Sequence, residues 1–457
     1  MRFSGDRLLL QRYAAFMTQS AYSVTASGNI SAEAAMEAVP LRRIVVASFI
    51  GTAVEFYDFY IYATATALVL GPLMFPAASP AAQLLNAFAT FAIAFVARPI
   101  GAALFGHFGD RIGRKSTLVA SLLIMGISTA LVGLLPGHDR IGALAPALLC
   151  LLRFGQGIGL GGEWGGAALL AMENAPEGKR AWYGMFPQLG APIGFIAANG
   201  LFLILALTLS DEAFRSWGWR VPFVLSLLLV IIGLYVRLRL TETPAFRRVL
   251  ERKEPVAVPF RAVLIGHGRA TVLGMLSMVC CYALFYLCTV FILGYGTTVL
   301  HYSRPVFLGL QCVAIAFMVV GAPLAALLAD RYGRRPVLMA VMGLAGVLGC
   351  LLGPALGSGR VEAVFLFLCA GLMTTGMLLG PMGALLPELF PVKLRYTGAS
   401  LSFSLGGIVG ASLAPYIAQR LSDLGGLHWV GYYLTAAALI SMIAVALMPE
   451  TKDAPER

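Results

Sequence analysis

Long apolar runs alternate with short polar loops along this chain. Each run is about 20 residues or longer, the length an α-helix needs to cross a hydrocarbon core. Twelve are read, in 44–70, 83–107, 116–136, 144–172, 182–208, 221–240, 270–299, 305–329, 336–355, 362–386, 397–418 and 428–448. A segment in lipid must satisfy its backbone internally, so each run predicts a helix and the whole an all-α membrane protein with twelve transmembrane helices. With the N-terminus inside, twenty-two Lys and Arg from residue 42 onward fall on inner loops and flanks and six on outer ones. That bias places both termini in the cytoplasm and makes the protein multi-pass.

The longest basic, Pro-containing loop, 241–268, separates the sixth run from the seventh. It divides the chain into a tail (1–42), an N-terminal six-helix bundle (43–240), a cytoplasmic linker (241–268), a C-terminal six-helix bundle (269–450) and a short tail (451–457). An internal repeat supports the division. Gly109-Asp110-Arg111-Ile112-Gly113-Arg114-Lys115 returns as Ala329-Asp330-Arg331-Tyr332-Gly333-Arg334-Arg335, an offset of 220, and Glu173-x-x-Pro176-x-x-x-Arg180 returns as Glu388-x-x-Pro391-x-x-x-Arg395, an offset of 215. Two near-equal offsets at equivalent loops predict bundles related by a pseudo-two-fold axis.

Composition agrees. The chain is 59% hydrophobic and 12% charged, against roughly 25% charged in a soluble domain. The formal charge of +11 sits in the inner loops, facing a lipid bilayer, so a nucleic-acid partner is not expected. Seven cysteines lie in apolar segments without C-x-x-C spacing, so neither metal nor disulfide framework is expected. Residues 1–42 carry no clear signal peptide, and Met17 and Met36 remain open as starts.

Charge inside the runs changes the picture most. Glu55 and Asp58 sit in the first, three apart and therefore on neighbouring positions of one helical face. Arg98 lies in the second, and Arg153 and Glu163 in the fourth. Counting from the inner ends at about 1.5 Å per residue puts Glu55, Arg98 and Glu163 near the midplane, and an ionisable residue at that depth is by default a functional candidate. A guanidinium offers a fork of donors to a carboxylate, while a desolvated carboxyl can load and release a proton. Arg98 and Arg153 are thus substrate-binding candidates, and Asp58, Glu55 and Glu163 proton-coupling candidates with Asp58 preferred. A permanent ion pair holding the N-terminal bundle together is the other use of the same residues. The C-terminal half offers Tyr282, Tyr286 and Gln311 as polar contacts. Glycines 155, 157, 159, 161 and 162 make the fourth run smooth, a packing role.

The Asp110 loop and its copy resemble those of the major facilitator superfamily. Within it the chain is similar to the metabolite:proton symporters, carriers of organic acids and of proline or betaine. The match is carried by Gly51-Thr52-Ala53-Val54-Glu55-Phe56-Tyr57-Asp58-Phe59, Arg98-Pro99-Ile100-Gly101, Arg153-Phe154-Gly155-Gln156-Gly157, Gly161-Gly162-Glu163-Trp164-Gly165-Gly166, Trp217-Gly218-Trp219-Arg220-Val221-Pro222-Phe223 and Glu388-Leu389-Phe390-Pro391, and extends over residues 43–450. It implies an inner-membrane secondary transporter moving a small metabolite with a proton, without a cofactor. Tyr57 and Gln156 join the substrate-binding candidates on these motifs.

The loops are read as an inner gate comprising Gly106, Asp110, Arg111, Gly113, Arg114, Asp330, Arg331, Arg334, Glu173, Arg180, Glu388 and Arg395. Asp110 is placed to accept hydrogen bonds from the positive N-terminus of a helix in the opposite half, a contact possible only while the inner side is shut. The arginines serve the same gate, or anchor to anionic lipid.

These readings converge on proton-coupled uptake of a small organic acid by alternating access, with a monomer expected to suffice. Glu242-Thr243-Pro244 and Pro449-Glu450-Thr451-Lys452 resemble sugar-porter signatures, but no Gln-Gln pair opens the seventh run, which argues against a sugar. The nearest alternative is a proline or betaine carrier, since Phe56, Tyr57, Phe59 and Tyr60 could cage a quaternary ammonium. The chain's end seven residues after Glu450, without a long coiled-coil tail, favours the acid. A membrane enzyme lacks a nucleophile or metal motif here, and a passive channel leaves the repeated gate loops unexplained.

Overall fold

The structure, a computed structural model, describes residues 41–452 apart from 77–78, 113, 162–167, 170, 173–174, 240–258 and 392–393. Side chains of 41–48, 80–81, 106–118, 236–239 and 259–262 lie outside the description. The described residues from Val45 onward belong to one compact unit.

Among the described residues, twelve helical segments follow the order of the apolar runs, with short helices between some of them. In the N-terminal half α1 is Leu41–Ala65, continued by a π-helical segment Thr66–Leu70 and the turn Gly71–Met74; α2 is Pro80–Ile112, α3 Arg114–Leu134 and α4 Leu144–Leu160. The fifth, α5, begins as Arg180–Gly184, passes through a tight turn at Pro187–Leu189 and continues as Gly190–Thr208, and α6 is Val221–Arg239. In the C-terminal half α7 is Gly268–Tyr286, a π-helical Leu287–Phe291 and Ile292–Thr298. Then come α8 Arg304–Tyr332, α9 Arg334–Gly357, α10 Val361–Glu388, α11 Arg395–Gly407 with a π-helical Ile408–Ser412 and Ala414–Gly425, and α12 Leu427–Ala446. Nine described helices are long and apolar enough to cross a membrane, and Val119–Leu134 and Leu144–Leu160 are shorter apolar helices.

The repeat is visible in the packing. In the first half α2 packs on α4, α3 on α6 and α3 on α4; in the second, α8 packs on α10, α9 on α12 and α9 on α10. Lipid tails are as apolar as leucine, so helices associate by close backbone approach. A Cβ on Gly157 would lie 2.2 Å from the Ala94 carbonyl oxygen and one on Gly161 2.1 Å from that of Arg98; their counterparts Gly376 and Gly380 would meet Met318 O at 2.3 Å and Ala322 O at 2.5 Å. Gly155, Gly157, Gly159 and Gly161 of the fourth run therefore do pack helices, Gly162 lies outside the described residues, and the eighth and tenth runs repeat the device. Between the halves, α5 packs on α8, and α2 on α11.

Candidate functional site

Where α1, α2, α4 and α11 meet, a nearly closed cleft of about 10 Å³ is lined by Glu55, Arg98, Leu160, Gly161, Ser400, Phe403 and Ser404. Glu55 and Arg98 are 4% and 5% exposed, so a carboxyl and a guanidinium face one pocket in a medium where electrostatic interactions act far more strongly than in water. The backbone makes this possible. Without a Cβ, Gly161 lets α4 close onto the Arg98 carbonyl, and Pro99 removes one α2 hydrogen bond next to Arg98, a local weakness the neighbouring helices absorb. The guanidinium carbon of Arg98 sits 5.0 Å from the Phe59 ring centre and 5.1 Å from that of Phe95, which steadies the cation without consuming its donors.

Asp58 is 1% exposed but is not among the lining side chains. Arg153 is walled in: its guanidinium lies 3.7 Å from the Tyr62 ring centre and 5.4 Å from those of Phe59 and Phe91. It donates to Gln156 Oε1 at 2.7 Å and to the Phe91 carbonyl at 3.3 Å, while Gln156 donates to Thr129 at 2.8 Å. This arrangement fastens α4 to α1, α2 and α3 and leaves both residues outside the cleft lining. Tyr57 donates its hydroxyl to the Pro222 carbonyl of α6 at 3.0 Å. Tyr282 donates to Phe403 O at 3.4 Å and stacks on Tyr286, and Tyr286 packs against Phe59, Phe91 and Phe95. These rings join the halves. The aromatic cage considered for a quaternary ammonium is thus altered: Phe59 already faces two arginines, and Tyr57 turns to α6. Glu163 lies outside the described residues.

Two cleft-lining positions escaped the sequence reading. Ser400 and Ser404, one helical turn apart on α11, bring hydroxyls from the C-terminal half to the cleft, and Ser400 Oγ has no hydrogen-bond partner among the described residues. Their i, i+4 spacing was the available signal. Hydroxyls in an apolar run scarcely lower its hydropathy.

On the inner side the helix-terminus contact expected of Asp110 is made by its repeat partner Asp330. Asp330 Oδ1 and Oδ2 accept the backbone N–H groups of Ala181 and Trp182, in the first turn of α5, at 3.0 and 2.9 Å. A carboxylate on the positive end of a helix from the other half is favourable. Arg334, 1% exposed, holds Asp330 and Glu388 at 3.2 Å each, and Thr451 donates to Glu388 at 2.5 Å. Glu450 caps α9 by accepting from Arg334 N at 2.9 Å and Arg335 N at 3.0 Å. Partial burial pushes its carboxyl up, but backbone N–H donors from Arg334, Lys452, Arg335 and Thr451 outweigh that and leave it below its ordinary range. Arg180, Glu388 and Arg395 line one inner cleft of about 110 Å³, with Arg395 donating to Phe390 O at 3.3 Å. Arg331 is exposed and lies over its neighbour Tyr332. Gly106, Asp110, Arg111 and Arg114 stand on described helices without described side chains, and Gly113 and Glu173 lie outside the described residues.

On the outer side Arg304 meets Asp211 at 2.8 Å, so contacts between the halves lie on both sides of the cleft.

Comparison with known proteins agrees with this architecture. The family described as "Sugar (and other) transporter" matches residues 44–259 and the Major Facilitator Superfamily residues 310–457. The chain is 55% identical to the inner membrane metabolite transport protein YhjE of Escherichia coli K12, covering 90% of this chain and 94% of that one. It is 36% identical to the shikimate transporter of the same strain over 90% and 95%, and 32% identical to its proline/betaine transporter over 91% and 85%. In fold it is similar to the xylose transporter XylE of E. coli in a partially occluded inward-open conformation, with TM-score 0.70, 19% identity and coverage of 91% and 99%. The chain belongs to the major facilitator superfamily and is a multi-pass inner-membrane metabolite transporter, not an enzyme.

Proposed function

We propose that the chain is a proton-coupled symporter of a small organic anion, with Arg98 receiving the substrate carboxylate and Glu55 carrying the proton. The observation that carries this reading is the placement of one buried carboxyl and one buried guanidinium in a single cleft bounded by both halves. Arg98 offers paired donors to a carboxylate. Glu55 can ionise beside it. An incoming anion competes with ionised Glu55 for Arg98, so anion binding and Glu55 protonation favour each other, which is the linkage symport requires. Ser400 and Ser404 offer hydroxyls for a substrate's polar end, consistent with a hydroxylated acid. Sequence favours Asp58 as proton carrier, but geometry favours Glu55, which lines the cleft.

The likeness to a shikimate transporter supports an acid, and the likeness to proline/betaine transporters keeps a zwitterion as the second reading. The arginines over Phe59 speak against an ammonium cage at that ring. In proteoliposomes with an alkaline interior, labelled shikimate or a C4-dicarboxylate is expected to accumulate, and a protonophore to abolish the accumulation. Uptake that betaine outcompetes and no acid inhibits would overturn the anion.

A further inference from the structure

A buried polar chain joins four helices outward of the cleft. Thr64 of α1 donates to Asn199 Oδ1 of α5, and Asn199 Nδ2 faces Gln311 Oε1 of α8 at 3.5 Å. Gln311 Nε2 donates to the carbonyls of Cys288 and Thr289 at 2.9 and 3.0 Å. Thr64 is 3% exposed, and Asn199 and Gln311 are fully buried. Both acceptor carbonyls belong to the π-helical segment Leu287–Phe291 of α7. Thr64 stands two residues before the π-helical segment Thr66–Leu70 of α1. The segments begin 221 residues apart, close to the repeat offset, so one polar chain connects the same irregularity in the two halves. A π-helical turn disturbs the regular carbonyl pairing of an α-helix, and Gln311 supplies donors there.

We infer that Thr64, Asn199 and Gln311 form the outer strap of the transporter, positioning residues that hold the two halves together above the site and part when it opens outward. Thr64 lies nine residues beyond Glu55, about 14 Å further along α1 at 1.5 Å per residue. The bond lengths distribute the work. Gln311 is held firmly to its own half, and Asn199 receives Thr64 within its own. The link between the halves is the longest, at the limit of a hydrogen bond, so separation breaks one weak contact and leaves each amide with its other partners. The surface pair Arg304–Asp211 cannot take this role alone, because Asp211 is 86% exposed and such pairs contribute little. The inference rests on the two-half fold and not on the identity of the substrate.

The test uses the full chain in nanodiscs, with Cys350 replaced by serine and spin labels at Glu212→Cys and Ser303→Cys, exposed outer positions of opposite halves. Gln311→Leu and Asn199→Leu are each expected to raise the long-distance population roughly two- to tenfold, the effect of one net hydrogen bond. The double variant should match the single ones, because either substitution opens the same strap. Should a leucine variant fail to fold, Asn199→Ser and Gln311→Met remove the same inter-half contact and must show the shift. Unchanged distances, or shifts that add fully in the double variant, overturn the proposal.

Discussion

The inner crossing of α5 and α10 allows a quantitative prediction. A Cβ on Gly383 would lie 2.2 Å from the carbonyl oxygen and 2.8 Å from the carbonyl carbon of Gly184, in the opposite half. The obstacle is backbone, which cannot rotate away. Overpacking of this kind costs about 1–3 kcal/mol, and here only conformations with the inner side shut bear it. At 1.4 kcal/mol per factor of ten, Gly383→Ala should move the equilibrium toward the inward-open state roughly 5- to 150-fold. Gly376→Ala is the matched control. Its Cβ would lie 2.3 Å from Met318 O within the same half, so it burdens every conformation alike. The expected result from electron spin distances between labels on the inner ends of the halves is a longer distance for Gly383→Ala, and a lower thermal midpoint without that shift for Gly376→Ala. Identical distance distributions for Gly383→Ala and wild type would refute the gate geometry.

Other outcomes follow from particular contacts. Arg153→Met removes a guanidinium that fastens α4 and lies outside the cleft lining, so it should lower the thermal midpoint by several degrees while substrate affinity measured on the folded fraction stays within about threefold; affinity loss with unchanged stability would return Arg153 to the binding site. Glu450 is held below its ordinary pKa, so its stabilisation is present above the unfolded carboxylate's value and is lost as pH falls through the lower folded value. Glu450→Gln should therefore lower stability at neutral pH and converge with wild type in acid, and a difference constant across pH in thermal scans would contradict the assignment.

Much of the fold was legible because the bilayer sets helix length and the repeat sets pairing. Glu55 and Arg98 announced themselves as costly charges in apolar runs, and Asp330 behaves as the helix-terminus argument expected of its repeat partner Asp110. What escaped was set by rotation about helix axes. Asp58 and Glu55 share a face at low resolution, yet only Glu55 lines the cleft. Arg153 shows the same limit from the other side, since its aromatic walls come from α1 and α2 and sequence spacing within α4 cannot reveal them. Asn199, Thr64, Ser400 and Ser404 carry no charge, and the π-helical segments leave no hydropathy signature. Their importance depends on partners from distant runs.

The central claim is that Glu55 couples a proton to a substrate held at Arg98, and one variant measured two ways tests it most directly. In proteoliposomes, Glu55→Gln is expected to keep counterflow exchange of labelled substrate while losing accumulation driven by a pH gradient, because exchange needs only the site and the accumulation needs a titrating carboxyl. Accumulation at the wild-type level with the same gradient would contradict the account.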